Sequence, residues 1–372
     1  MRIAFDHQAF CRQIAGGISR YYCKLAVELS HLNQQVGIFA PIYRNVYLKE
    51  LPSQLVHGFG IKNYPPKTAG ACVEANGFVA RPMIRRWQPD VVHETYFHKQ
   101  GSLADKYPRV VTVFDMIAER DVQQQSKQPV NFKSTDKYQA VKRADHVICI
   151  SEHTRQDLVR LFDVSVNKLS VIHLGCDQSL LQQYDAEVQP KTLRLFLLYV
   201  GLREGYKNFA RMLNAIAASS VLMRNFDIIA FGGGKFTLAE RQLISSLGFD
   251  PQQVRQLGGT DQDLNLLYRQ AAALIYPSTY EGFGLPPLEA MAMQCPVVSS
   301  RSSSMPEVIG DAAEFFDPDD TDSTRFAIEQ VVLSEERKQD LIKKGNRRVA
   351  QFRWSTCAEK TLDVYQAVVN KN

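Results

Sequence analysis

The sequence predicts an α/β protein made of two doubly wound parallel-sheet domains, and three observations carry that prediction. The chain has 372 residues, 45% of them hydrophobic, which exceeds one ordinary core and suits two domains of usual size. Short β-branched runs alternate with helix-length segments along the chain. The runs lack internal polar alternation, as strands covered by helices on both faces do.

In the first half the runs are "RIAF", "VGIFA", "DVVH", "RVVTVF" and "HVICI"; in the second they are "LFLLYVG", "DIIAFGG", "ALIYPS" and "PVVSS". Between them, apolar spacing predicts a helix after Gly17, with Ile18, Tyr21 or Tyr22, Leu25 and Leu29 on one face. Further helices begin near Asn208 and near Pro286 or Pro287, since proline suits the first turn. The last segment, "WSTCAEKTLDVYQAVV", reads as an amphipathic helix with Trp354, Leu362, Tyr365 and Val369 on one stripe. The domain break is expected in the polar stretch 178–192, which runs through Pro190 between two apolar strands. No internal repeat of solenoid length is present.

Composition narrows the class further. Residues 1–180 hold 23 Lys and Arg against 16 Asp and Glu, net +7, whereas residues 181–372 hold 21 against 23. A basic first half suits an anionic partner or membrane surface, or is a solvated face. Nothing in the sequence points to nucleic acid. The seven cysteines are scattered and never form a CxxC pair, so they read as buried thiols in a reducing compartment, not as a disulfide framework or zinc site. The opening "MRIAFDHQAF" reads as a first strand and not as a signal peptide. No apolar run approaches the roughly 20 residues of a membrane span. The expectation is a cytoplasmic protein, at most peripheral on the membrane.

In open parallel sheets ligands bind beyond the carboxyl ends of the strands, so the loops there are where chemistry is sought. Gly16 and Gly17 precede the first long helix, where a ligand can approach the backbone and helix-start amides attract phosphate; a plain turn pair is the alternative. Neither this loop nor "FGGGKF" (231–236) matches the dinucleotide fingerprint, and no P-loop is present. The loop after "LFLLYVG" presents Arg203 and Lys207 before a helix, two cations suited to an anion, or ordinary loop cations. The stretch "EGFGLPPLEAMA" places Glu281 on a loop and Glu289 within the following helix, with Gly282, Phe283, Gly284 and Leu285 between. A carboxylate accepts two hydrogen bonds, so each glutamate suits adjacent hydroxyls, as on a sugar or ribose.

The segments "GLREGYKN", "PSTYEGFGLPPLEAMAMQCPVV" and "SSMPEVIGDAAEFFDP", with "GGISRY", "ADHVICISEHTRQDL" and "VIHLGCD" before them, resemble the retaining glycosyltransferases of family 4, over nearly the whole chain and in the expected order. The resemblance implies the GT-B fold, with two Rossmann-like domains facing across a cleft. Residues 1–180 would bind acceptor, residues 181–352 donor, and the helix within 353–372 would pack back on the first domain. It implies that Glu281 contacts the transferred sugar, Glu289 the ribose, and Lys207 with Arg203 the donor diphosphate. Gly16 and Gly17 would meet the diphosphate from the first domain, and the backbone of Gly282 to Leu285 would meet sugar and phosphate. No metal and no cofactor are expected, the nucleotide-sugar being a substrate; "DPDD" (317–320) reads as turn residues and not as a metal cluster. Retention would come from attack on the departing side of the sugar, with a donor phosphate oxygen assisting deprotonation.

The likeness is strongest to bacterial mannosyl- and rhamnosyltransferases of surface-polysaccharide assembly. GDP-mannose is the first choice of donor, with UDP- and dTDP-sugars open. The acceptor would be a glycan or lipid-linked glycan, and "RPMIRRW" (81–87) could rest on anionic lipid or be an ordinary basic helix. Three departures from the family stand out. Tyr206, not arginine, precedes Lys207; Phe114, not histidine, precedes Asp115; Gln294 replaces a glycine. Asp115 and His93 are therefore candidates for a first-domain role, with His98 as a further substitute. A GT-B epimerase or phosphorylase, or a binding protein without turnover, are the alternative functions.

Overall fold

All nine β-branched runs form strands. The computed structural model describes residues 1–65, 67–99, 101, 106–126, 128–177 and 194–371. The chain divides into two units, Met1–Gly175 with Trp354–Asn372, and Cys176–Arg353. The polar stretch 178–192, where the break was expected, lies outside the described residues.

The first unit holds β1 (Arg2–Phe5), β2 (Gln35–Tyr43), β3 (Val56–Gly60), β4 (Val91–Glu94), β5 (Arg109–Val113), β6 (His146–Cys149) and β7 (Leu169–Val171), in the order β3-β2-β1-β4-β5-β6-β7. The second holds β8 (Phe196–Val200), β9 (Asp227–Phe231), β10 (Val254–Leu257), β11 (Ala273–Tyr276), β12 (Val297–Ser300) and β13 (Glu314–Phe316), in the order β10-β9-β8-β11-β12-β13. Every pairing is parallel, with β1 beside β4 through Ile3–Val91 and β8 beside β11 through Leu198–Leu274. In each sheet the chain winds outward one way and then the other. The direction reverses between β1 and β4 in the first unit and between β8 and β11 in the second, and such switch points open a crevice at the strands' carboxyl ends.

Burial explains why these segments pair in parallel. Strands β4, β5, β11 and β12 are buried at every position, since helices cover both faces. In the second unit the helix Phe209–Ala217 seats Phe209, Met212, Leu213 and Ile216 against Leu197, Tyr199, Ile228 and Ile275. Each such side chain contributes about 1.5–3 kcal/mol by leaving water.

The closing helix, Trp354–Val369, belongs to the first unit and packs on the helix Gly17–His31. Its buried stripe is Cys357, Ala358, Thr361, Val364, Tyr365 and Val368. Of the stripe read from sequence only Tyr365 is among these, because the helix is rotated to bring that phenol to His93 (2.5 Å from Nδ1). Trp354, Leu362 and Val369 are half-buried at its flanks.

Candidate active site

The switch point of the second unit brings two sequence-predicted residues together. Beyond β8 the chain makes a short 3-10 turn, Gly205–Lys207, ending at Asn208 in the left-handed region (φ 57°). The Asn208 amide donates to the Pro318 carbonyl at 2.9 Å, which anchors the turn, and the Thr279 amide donates to the Tyr206 carbonyl at 2.7 Å, which ties the β8 loop to the β11 loop. Lys207 Nζ then lies 2.6 Å from Glu281 Oε1, both side chains largely buried. The ammonium also stands over the Tyr276 ring, 5.7 Å from its centroid. Burial, and next the Glu281 charge, push the Tyr276 phenol well above its usual value, so it stays protonated and donates toward the carboxylate.

Glu281 is positioned from a third loop. Its amide donates to Ser303 Oγ (2.8 Å), and buried Ser304 Oγ donates to the carbonyls of Glu281 (2.9 Å) and Phe283 (3.1 Å). The serines after β12 thus fix the backbone of 281–283. The family resemblance did not single them out, although a run of serines directly after a buried strand was the signal.

Gly284 precedes the helix Leu285–Ala292 with φ 95°, a conformation that favours glycine, and a β-carbon there would run into the Met305 thioether. Pro286 and Pro287 remove two of the early amides. The donors left to an anion are therefore those of the 282–285 backbone. Phe283 turns its ring inward, edge-on to Phe352 at 5.8 Å, so the segment offers backbone and not an aromatic face. Glu289 sits in that helix, half-buried, and accepts a hydrogen bond from Tyr268 at 3.4 Å. Burial, and then Glu289 itself, hold the Tyr268 phenol protonated.

Arg203 is placed elsewhere than the sequence suggested. Its guanidinium is almost wholly buried and reaches away from Lys207. Nε donates to Glu240 (2.6 Å), Nη1 to the Gly232 carbonyl (2.9 Å), and Nη2 to those of Gly234 (2.9 Å), Lys235 (3.2 Å) and Gly233 (3.3 Å). Gly232, Gly233 and Gly234 all have positive φ, and this successive left-handed backbone turns their carbonyls onto one cation. Burial raises the Glu240 pKa, but bonds from Arg203 and the Thr237 amide outweigh it and the net shift is downward. Arg203 clamps the triple-glycine turn; it does not stand beside Lys207 as a second free cation.

In the first unit Gly16 and Gly17 do open the helix Gly17–His31. Gly16 is extended (φ 169°), and the Gln13 side chain caps the Ser19 amide at 3.0 Å. Asp115, after β5, is partly exposed; Lys137 Nζ donates to its carbonyl (3.0 Å) and to Glu119 (2.7 Å). Phe114 lies edge-on to Tyr21 at 5.3 Å, so the position of the family's histidine is filled by packing. His93 is fully buried, with Nδ1 on Tyr365, and Nε2 2.9 Å from Thr112 Oγ1. Burial lowers its pKa to about 3. Both ring nitrogens are engaged, so His93 reads as a satisfied core group. His98 pairs with Glu74 at 3.2 Å. In the "DPDD" turn Asp320 caps the helix Thr321–Val332, and Asp319 pairs with Arg211.

Among the described residues no helix is long and apolar enough to cross a membrane. The sequence profile of Glycosyltransferase Family 4 matches residues 15–180, and that of Glycosyl transferases group 1 matches residues 182–348. The chain is similar to O-antigen chain mannosyltransferase B of Escherichia coli, 28% identical over 292 residues that cover 76% of each chain. It is also similar to the MMP alpha-(1->4)-mannosyltransferase of Mycolicibacterium hassiacum, 28% identical, covering 77% of this chain and 72% of the other. Its fold matches sucrose-phosphate synthase from Thermosynechococcus elongatus (TM-score 0.77, 18% identity, 100% of both chains) and WaaG, a glycosyltransferase involved in lipopolysaccharide biosynthesis (TM-score 0.69, 16% identity, 98% and 99%).

Proposed function

The chain belongs to the group 1 and family 4 glycosyltransferases and is a hexosyltransferase, and from that premise we propose that it moves mannose from GDP-mannose onto a glycan or lipid-linked glycan in surface-polysaccharide assembly, with retention and without a metal. The observation that carries the donor chemistry is the Lys207–Glu281 pair at the switch point, bordered by the 282–285 backbone. The preference for mannose rests on likeness to the O-antigen mannosyltransferase and its relatives.

Breaking the anomeric bond leaves growing negative charge on the nucleoside diphosphate. An ammonium has three donors; Lys207 spends one on Glu281 and can turn the others to phosphate oxygens. In a partly desolvated site such donors stabilise the leaving group more than in water. Glu281, held from both backbone ends by Ser303 and Ser304, has a second oxygen for sugar hydroxyls, and Glu289 suits the ribose. Neither is asked to shuttle the proton, which a donor phosphate oxygen would take. Gly16 and Gly17 are proposed as further phosphate contacts. Exposed Arg85 and Arg86 are proposed to touch anionic lipid, checked by co-sedimentation with phosphatidylglycerol vesicles at low and high salt.

The test is a donor panel of GDP-, UDP- and dTDP-sugars, with thermal shift reporting the base and product analysis the anomer, in the presence and absence of EDTA. Selective stabilisation by GDP with mannose transfer is expected. A shift by UDP or dTDP alone would overturn the donor, inactivation by EDTA the metal-free chemistry, and an inverted product the stereochemistry. Donor conversion without acceptor would indicate an epimerase.

A further inference from the structure

A layer of three buried phenols lies beneath the candidate site of the second unit. Tyr199 on β8 and Tyr276 at the end of β11 stand on adjacent strands, and Tyr268 comes from the helix Asp261–Gln270. A buried hydroxyl needs a partner, and each of these finds one in the segments that make the site. Tyr199 donates to the Leu202 carbonyl and lies 3.4 Å from that of Lys207, so it braces the turn that carries the lysine. Tyr268 donates to Glu289, and Tyr276 to the Glu281 carboxylate. The donor chemistry assigned to the glutamates gives these hydroxyls no task.

Tyr276 differs from the other two in what it shares. Its acceptor, Glu281, already holds Lys207 Nζ at 2.6 Å, and the same ammonium stands 5.7 Å from the Tyr276 ring centroid. Carboxylate, ammonium and phenol therefore form one buried cluster, and its two donors are not equivalent. An ammonium on a flexible four-carbon stem can turn, and growing charge on a departing diphosphate draws it from Glu281. The phenol answers to no such pull. Burial, and next the Glu281 charge, keep it protonated and neutral, and its ring closes a strand that is buried at every position.

Glu281 needs a partner of that kind. Ser303 and Ser304 hold its backbone but not its carboxylate. As the lysine turns to phosphate, the carboxylate that must orient sugar hydroxyls keeps one fixed donor, the Tyr276 hydroxyl. A hydrogen bond to a charged group is worth a factor of about 10 to 100.

We propose that Tyr276 is a positioning residue for sugar transfer, its hydroxyl fixing the Glu281 carboxylate while Lys207 turns to the departing diphosphate. The inference rests on the reading of the chain as a hexosyltransferase with Glu281 on the sugar. Its test is Tyr276→Phe, which removes one oxygen and keeps the ring and its packing. At saturating donor kcat should fall by about 10-fold or more, while the nucleoside diphosphate Kd, measured by calorimetry, should stay within about threefold. The fall should vanish when the carboxylate is absent: in a Glu281→Gln background, Tyr276→Phe should change kcat by less than about twofold, a coupling that general loosening would not produce. A second readout needs no turnover. Lys207→Met leaves the phenol as the remaining donor to the Glu281 carboxylate, so adding Tyr276→Phe should lower the melting transition by about 3 °C or more beyond the sum of the two single variants. Undiminished kcat in Tyr276→Phe, an equal fall in the Glu281→Gln background, or additive melting would overturn the assignment and leave the transferase reading intact. A wild type that moves no sugar from any donor would overturn the transferase reading and the role in transfer together, whereas non-additive melting there would still place the phenol on Glu281.

Discussion

Replacing Lys207 with methionine separates the structural worth of the site from its chemistry. Lys207 Nζ and Glu281 Oε1 are 2.6 Å apart, with side chains 15% and 10% exposed. At an effective dielectric near 20 their attraction is about 6 kcal/mol, most of it cancelled by the desolvation of two ions. The net value of the intact pair is therefore small, but the cost of removing one partner is not. Lys207→Met strands a buried carboxylate, for which about 3–5 kcal/mol is usual; the Tyr276 bond and residual solvent access reduce this to about 2–4 kcal/mol. For a unit of this size that lowers the melting transition by about 4–16 °C. Adding Glu281→Gln removes the stranded charge and should recover most of the loss, while turnover stays absent. Calorimetry of the two single variants and the double variant measures this. Both tryptophans lie in the first unit, so their fluorescence would not report it. A single variant melting within about 2 °C of wild type, or a double variant no more stable than Lys207→Met, would refute a buried, mutually compensating pair.

Three other outcomes follow from the geometry. Glu281→Gln alone keeps a hydrogen-bonding side chain but loses the carboxylate's paired acceptors, so turnover should fall by about 100-fold with nucleoside diphosphate binding retained; near-normal activity in a steady-state assay would refute the sugar-orienting role. Arg203→Lys should destabilise the second unit by about 2–3 kcal/mol, because one ammonium cannot serve five acceptors in a planar fork, and leave GDP affinity within about threefold by calorimetry; a loss of affinity at unchanged stability would restore Arg203 to the diphosphate. His93 has a folded pKa of about 3, against roughly 6.5 unfolded. The unfolded chain thus binds the extra proton first, and stability falls as pH drops from about 6.5 toward 3, by up to about 5 kcal/mol. His93→Gln should flatten that part of the pH–stability curve without moving the pH–rate profile near 6–7; a shifted rate profile would give His93 a role in catalysis.

The sequence was legible where burial dictates composition. The nine runs read as strands became strands, and the four strands not read, β3, β7, β10 and β13, are the four sheet edges. An edge strand has one neighbour and less cover, so segments such as Val56–Gly60 and Val254–Leu257 carry no continuous apolar run. Glu281, Glu289 and Gly284 were visible because glycine and proline spacing around two carboxylates is hard to explain as surface. Spacing alone could not assign Arg203: four residues before Lys207 looks like partnership, but the partners of a guanidinium are set by which carbonyls reach it, and those come from a glycine turn some 30 positions on. Nor could it rank His93, which burial keeps neutral and whose Nδ1 is engaged by Tyr365, 272 residues away. Sequence by itself determined the parallel α/β architecture, the family and the loops where chemistry lies, since hydrophobic period and backbone permissiveness are local properties. Tertiary structure alone decided which charges face one another and which are spent on the fold, because that depends on distance and desolvation between segments the chain order keeps apart.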